Sequence, residues 1–109
     1  MKYLITESQF DRAVFIYLNN QGFIQIDIDD SIYFVNSYND RFAQIRYNKY
    51  DGWCFIFHKL IEDICSFFSL DEYNCVKVIG RWVENTLQTK VIYTEWYGTY
   101  AYTSLKIPN

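Results

Sequence analysis

The sequence predicts an α+β fold, and three patterns within its 109 residues support that class. Apolar residues recur at helical spacing in three segments, whereas apolar and polar residues alternate between positions 24 and 57. A Gly-Thr pair near the end of the sequence is typical of a tight hairpin turn. Together these patterns predict an N-terminal helix, a four-strand antiparallel meander, two helices and a C-terminal β-hairpin. No linker or repeat interrupts them, so residues 1–109 are predicted to form a single domain.

The first helix is predicted to run from about Glu7 to Asn20, after a short strand at Lys2 to Ile5. Thr6 and Gln9 have the spacing of a capping box, which marks the start of a helix. The apolar residues that follow share one helical face: Phe10, Ala13, Val14, Tyr17 and Leu18. Gly22 is then suited to end the helix.

Four strands are predicted in the segment that follows. In the first, Ile24, Ile26 and Ile28 face one way, and Gln25, Asp27 and Asp29 face the other, as in a half-buried strand. The remaining strands are predicted at Ile32 to Val35, Phe42 to Tyr47 and Trp53 to Phe57, with a polar loop at Ser37 to Arg41. The Asp51-Gly52 pair predicts a tight turn before the last of them.

Two helices are predicted after the meander. The first begins near His58 and has an apolar side formed by Leu60, Ile61, Ile64, Cys65, Phe67 and Phe68. The second, Ser69 to Gln88, is the central helix of the fold, because it is apolar around most of its circumference. Its start is predicted from a capping box formed by Ser69 and Glu72. Gly80 lowers helix propensity in the interior of this helix, which indicates that another element packs closely against it.

Composition excludes several classes of protein. Apolar residues make up 50% and charged residues 21%, the balance of a globular rather than a disordered chain. No apolar run reaches the roughly 20 residues of a membrane span, so no membrane partner is expected. The three cysteines, without an export signal, favour reduced thiols in a cytoplasm. The net charge of −3 makes nucleic acid an unlikely partner.

The residue types that carry catalysis are sparse. His58 is the single histidine, and Cys54, Cys65 and Cys75 do not have zinc-ligand spacing around it. There is no nucleophile elbow and no glycine-rich phosphate loop. The sequence therefore predicts no enzyme, no metal and no cofactor. One alternative stays open: Asp27 and Asp29, on one strand face, could hold a divalent cation in a small metal-dependent hydrolase.

The C-terminal hairpin carries the predicted binding site. A turn at Gly98-Thr99 would leave Ile92, Thr94 and Trp96 on the core side. The opposite face would then carry Tyr93, Tyr97, Tyr100 and Tyr102, with Glu95 and Lys106 between them. These tyrosines either stabilise the hairpin as a cross-strand stack or form a binding surface. A second alternative function follows from them, the binding of single-stranded nucleic acid by base stacking.

The first nine residues, Met1 to Gln9 (MKYLITESQ), resemble the start of many small uncharacterised proteins of tailed bacteriophages. The resemblance implies a phage protein made in the cytoplasm of a bacterial host and acting in the virion or on a host system. The expected function is therefore non-catalytic binding of a host or phage protein. The chain would inhibit a host defence factor, or serve as a small virion or assembly component. Homo-oligomerisation is a further expectation.

Overall fold

The computed structural model describes residues 2–36, 39–97 and 105–106, and its order of elements confirms the α+β class. The first helix and the meander are α1 (Lys2–Asn19), β1 (Ile24–Ile28), β2 (Ser31–Asn36), β3 (Asn39–Asn48) and β4 (Trp53–Phe57). The rest of the chain forms α2 (His58–Phe68), α3 (Glu72–Leu87), β5 (Tyr93–Tyr97) and β6 (Leu105–Lys106). None of the helices in the described part of the chain has the length and apolar content needed to cross a bilayer.

The strands form one mixed sheet in the order β1-β2-β3-β4-β5, with β6 beside β3. The meander is antiparallel, as predicted. The two C-terminal strands differ from the predicted hairpin, because each has a partner elsewhere: β5 runs parallel to β4, and β6 runs antiparallel to β3. A parallel neighbour needs a long crossover, which the α2–α3 pair supplies. The predicted Gly98-Thr99 turn lies outside the described residues.

The main core lies between one face of the sheet and the three helices. The helices contribute Val14 and Leu18 from α1, Ile61 and Ile64 from α2, and Ile79 and Val83 from α3, all fully buried. The sheet contributes Phe34, Ile45, Cys54 and Ile56, whose side chains share this face. The prediction that α3 is the central helix of the fold is confirmed, since α1, α2, β4 and β5 all adjoin it.

The opposite face of the sheet carries a second, smaller apolar cluster. Tyr33, Val35 and Ala43 are buried there, with the partly buried Ile26, Ile28, Phe55 and Phe57 packed around them. The isoleucines of β1 belong to this face because Ile26 pairs with Tyr33, whereas Gln25 pairs with Phe34 of the main core. Both faces of the sheet are therefore apolar, and the three helices cover only one of them.

Three predicted boundaries are wrong. Lys2–Ile5 is the first turn of α1 rather than a strand; no Gly or Pro separates it from the rest of the helix, so the helix extends through it. Asn39–Arg41 belongs to β3 rather than to a loop. Ser69 does not cap α3: it adopts a left-handed conformation (φ 56°), and its N–H donates to the carbonyl of Cys65 at the end of α2.

Candidate protein-binding surface

The position of β5 is fixed by the short segment that follows α3. Gln88 ends α3 in a left-handed conformation, with its N–H donating to the carbonyl of Glu84. The Glu84 carboxylate then accepts from the Val91 N–H at 2.9 Å. Three residues before β5 begins, the Lys90 carbonyl accepts from the Tyr47 hydroxyl at 3.1 Å. These contacts direct the chain from α3 back towards β4.

Gly52, in the β3–β4 turn, completes this attachment. Its carbonyl accepts from the Ile92 N–H at 2.8 Å, which places the start of β5 beside the start of β4. Gly52 has φ 76°, and a Cβ added there would lie 2.5 Å from Cγ1 of Ile92. Glycine is therefore required at this position both for its backbone conformation and for the close approach of the β5 segment. The predicted Asp-Gly turn is confirmed, and it also anchors β5.

The register between β4 and β5 decides which side chains share a face. Trp53 is aligned with Tyr93, and Phe55 with Glu95, in the parallel pair. These four side chains therefore point away from the helices, since Cys54 and Ile56 of the same strand face the main core. Thr94 of β5 points to the helix side, where its methyl group lies against Gly80 of α3.

Three aromatic residues on the sheet face away from the helices form what we call the aromatic patch: Trp53, Phe55 and Tyr93. The Trp53 ring centroid lies 5.1 Å from that of Tyr93 and 6.1 Å from that of Phe55. Trp53 and Tyr93 are 41% and 45% exposed, so a large part of each ring is available to a partner. Exposed aromatic side chains grouped in this way mark interaction surfaces.

The aromatic patch is bordered by opposite charges. On the β3 side, the Arg46 guanidinium carbon lies 4.7 Å from the centroid of the Phe55 ring. Its buried Nε has no hydrogen-bond partner among the residues that the structure describes. On the β5 side, the exposed Glu95 carboxylate accepts from the Tyr93 hydroxyl at 3.1 Å. This hydrogen bond to a carboxylate raises the pKa of Tyr93 above its usual range.

These groups belong to one straight row across the sheet. The pairings Ile26↔Tyr33, Tyr33↔Arg46, Arg46↔Phe55 and Phe55↔Glu95 follow in unbroken succession over five strands. Because directly paired residues point to the same face, the cation of β3 and the anion of β5 lie on either side of Phe55. Each is one strand spacing, about 4.8 Å, from the backbone of β4.

A groove of about 750 Å³ lies on the other side of β5, against α3. Its lining includes Tyr73, Val76, Lys77, Ile92, Thr94 and Trp96. Ile92 and Trp96 were predicted to face the core but are exposed, because β5 is the last strand in the sheet order. Tyr73 of α3 is exposed as well. At one end of the groove, His58 Nε2 lies 3.1 Å from the Glu72 carboxylate, with Trp96 against the imidazole edge.

No protein-family model, curated protein or solved structure matches this chain.

The predicted binding tyrosines are only partly within the described residues. Tyr93 lies on the surface, as expected, and Tyr97 is in β5 at the level of Phe57. Tyr100 and Tyr102 lie outside the described residues. Sequence reasoning missed Trp53 and Phe55, although the alternation in Trp53–Phe57 places its three aromatic residues on one side and Cys54 and Ile56 on the other. That pattern was a usable signal for a strand with an aromatic outer face.

The predicted acidic site is not assembled as a cation site. Asp27 Oδ1 accepts from Lys49 Nζ at 2.8 Å, and this ion pair offsets its charge. Asp29 lies past the end of β1, in a turn with φ 53°, rather than on the strand face. Within residues 2–36, 39–97 and 105–106, no group of three or more His, Cys, Asp or Glu side chains is arranged to hold a metal ion.

Proposed function

We propose that this chain is a non-catalytic, phage-type binding protein that contacts another protein through the aromatic patch. The observation that carries the proposal is the exposure of Trp53 and Tyr93, in mutual contact, on the sheet face opposite the three helices. Such rings supply a large contact area at a low cost in side-chain entropy, and Trp and Tyr are the residue types most enriched at binding hot spots. Arg46 and Glu95 add charges at its border, where they favour one orientation of a partner.

Binding of single-stranded nucleic acid is a second candidate, because aromatic side chains on an open sheet face beside an arginine can stack bases. The patch fits that function less well. Its rings are tilted by 50° and 55° to one another, and Arg46 lies over the face of Phe55, so successive bases would not meet parallel ring faces. The net charge of −3 also opposes the approach of a phosphate backbone.

The resemblance of residues 1–9 to tailed-phage proteins supports a partner from the phage or its host. We propose either inhibition of a host defence factor or a small virion or assembly role, in the host cytoplasm or the virion. A phage assembly role would be accompanied by binding to other virion proteins, and an inhibitory role by binding to a single host protein.

The test compares a tagged parent chain with a Trp53→Ser, Tyr93→Ser double variant in pull-downs from lysates of infected and uninfected host cells. Hot-spot truncations of this kind cost about 2 kcal/mol or more, so recovery of the partner should fall by at least about tenfold. Phe10→Ser, Phe67→Ser is the matched control, because both aromatic side chains are exposed and belong to α1 and α2, which pack on the opposite face of the sheet. Circular dichroism should show that all three proteins are folded.

Equal recovery by the Trp53→Ser, Tyr93→Ser variant would contradict the assignment of the patch as the contact surface. Micromolar binding of a fluorescent oligothymidylate that this variant loses would favour the nucleic-acid function instead. Hydrolysis of phosphoesters with Mg²⁺ or Mn²⁺ that disappears in an Asp27→Asn, Asp29→Asn variant would contradict the non-catalytic part of the proposal.

A further inference from the structure

The face that carries the aromatic patch has a charge pattern that complements its own copy. Along the cross-strand row, Arg46, Phe55 and Glu95 occupy consecutive strands β3, β4 and β5. A cation and an anion thus lie at equal distances on opposite sides of the central strand. We propose that the partner seated on this face is a second copy of the same chain, a step that rests on the function proposed above.

The symmetry that matches these charges is specific. Two sheets packed face to face, about 10 Å apart, can be related by a twofold axis that runs along β4. That rotation exchanges the β3 side with the β5 side. Arg46 of each copy would then face Glu95 of the other, which gives two identical ion pairs. A twofold axis across the strands would instead bring Arg46 against Arg46 and Glu95 against Glu95.

The same axis places the aromatic side chains of β4 against their own copies. Trp53, Phe55 and Phe57 alternate along β4 on this face, so each would meet the same residue of the second copy near the axis. The interface would then have an apolar centre and a charged border, the usual arrangement of a protein–protein contact. Trp53 and Phe57 are also the residues aligned with Tyr93 and Tyr97 of β5.

Arg46 gives a separate reason to expect an acidic group from outside the chain. Its guanidinium lies over Phe55 in an apolar surround, and it forms no ion pair with any carboxylate in the described part of the chain. A carboxylate that approaches its terminal nitrogens would supply a charge-assisted hydrogen bond there. Glu95 of a twofold-related copy is positioned to provide it.

Charge reversal tests this pairing directly. By sedimentation velocity or size exclusion with light scattering, the parent chain should form a dimer. Arg46→Glu and Glu95→Arg should each raise the dimer dissociation constant at least about tenfold, because each brings two pairs of like charges together. An equimolar mixture of these two variants should recover the dimer, since both contacts become Glu against Arg again. The Arg46→Glu, Glu95→Arg double variant should likewise dimerise.

Asp30→Arg is the control for net charge, because Asp30 is exposed in the β1–β2 turn, away from this face; it should leave the dimer unchanged. Glu95→Arg keeps the test valid if Arg46→Glu does not fold, since Glu95 is exposed and its reversal alone should weaken the dimer. A parent that stays monomeric at about 100 µM, where a dimer with a micromolar dissociation constant would be formed, would overturn the inference. A mixture that stays monomeric while the parent dimerises would also overturn it. The remaining outcome is a parent that is monomeric and binds a different protein, which the Trp53→Ser, Tyr93→Ser variant no longer binds. That result would overturn the self-pairing and leave the proposed function standing.

Discussion

Gly80 is a point of close approach between α3 and β5. A Cβ built on this glycine would overlap Cγ2 of Thr94, so the absence of a side chain allows the strand to lie against the helix. The sequence indicated close packing at this position from the cost of a glycine inside a helix. It could not indicate the neighbour, because a parallel strand reached through a crossover leaves no local signal.

Gly80→Leu should lower the free energy of unfolding by about 1–3 kcal/mol through overpacking, although leucine is the better helix former. Urea denaturation followed by circular dichroism measures the change. Asn85→Leu is the control, since Asn85 is exposed on the same helix and its replacement brings only the gain in propensity. A Gly80→Leu variant more stable than the parent would contradict the close contact with Thr94.

Cys54 should make the free energy of unfolding depend on pH in the alkaline range. Burial raises the pKa of its thiol to about 12, against about 8.5 in an unfolded chain. Between about pH 9 and 12, the unfolded thiol therefore loses its proton while the folded thiol keeps it, and stability falls by up to about 1.4 kcal/mol per pH unit. Below about pH 8 the thiol is protonated in both the folded and the unfolded chain, so none of this stability is lost. Urea denaturation of Cys54→Ala from pH 8 to 10 should show a shallower decline than the parent, whereas equal slopes would contradict a buried, protonated thiol.

At the scale of elements, the α2–α3 junction shows which of two neighbouring residues, Ser69 or Asp71, caps α3. Ser69 and Glu72 have capping-box spacing, but Asp71 is the N-cap of α3: its carboxylate accepts from the Asn74 N–H at 2.8 Å. Ser69 is left to end α2, because the two helices are joined by only three residues outside helical structure. A motif of this spacing identifies the region of a helix start, and the competition between adjacent caps decides the residue.

Two substitutions test whether Ser69 or Asp71 caps α3. Ser69→Gly should raise the melting temperature, because glycine adopts the left-handed conformation at Ser69 without strain. Asp71→Ala should cost about 1 kcal/mol through loss of the cap. Thermal denaturation measures both. If Ser69→Gly is neutral or destabilising while Asp71→Ala has no effect, the capping box at Ser69 is the correct description.

The strands show which features of the fold the sequence alone could not predict. Alternation located β1 and β4, but in β2 the residues Ile32 to Val35 are apolar on both faces, so the pattern could not say which face meets the helices. Pairing of Phe34 with Ile45 in the main core resolves this, and it places Ile26 on the other face. Likewise, the strand predicted before Gly98-Thr99 is present as β5, while its parallel pairing with β4 depended on tertiary contacts.

For the whole molecule, the sequence predicted the class of fold and one residue of the candidate surface, Tyr93. The rest of this surface, the aromatic patch with its bordering charges, comes from three strands brought together by the sheet: Arg46 from β3, Trp53 and Phe55 from β4, and Glu95 from β5. Such a surface has no signature in a single stretch of chain. It becomes visible only when the register of neighbouring strands is known.

The parallel pairing of β4 with β5 also bears on how the chain folds. The meander can form from neighbouring hairpins, but Trp53 meets Tyr93 only after the entire α2–α3 segment has closed a long loop. Contacts of high sequence separation carry a larger loop-closure entropy and form slowly. We therefore expect docking of β5 to be a late event, so that a partly folded chain presents Trp53 without Tyr93. Competence to recognise a partner would then arise together with the completed native state.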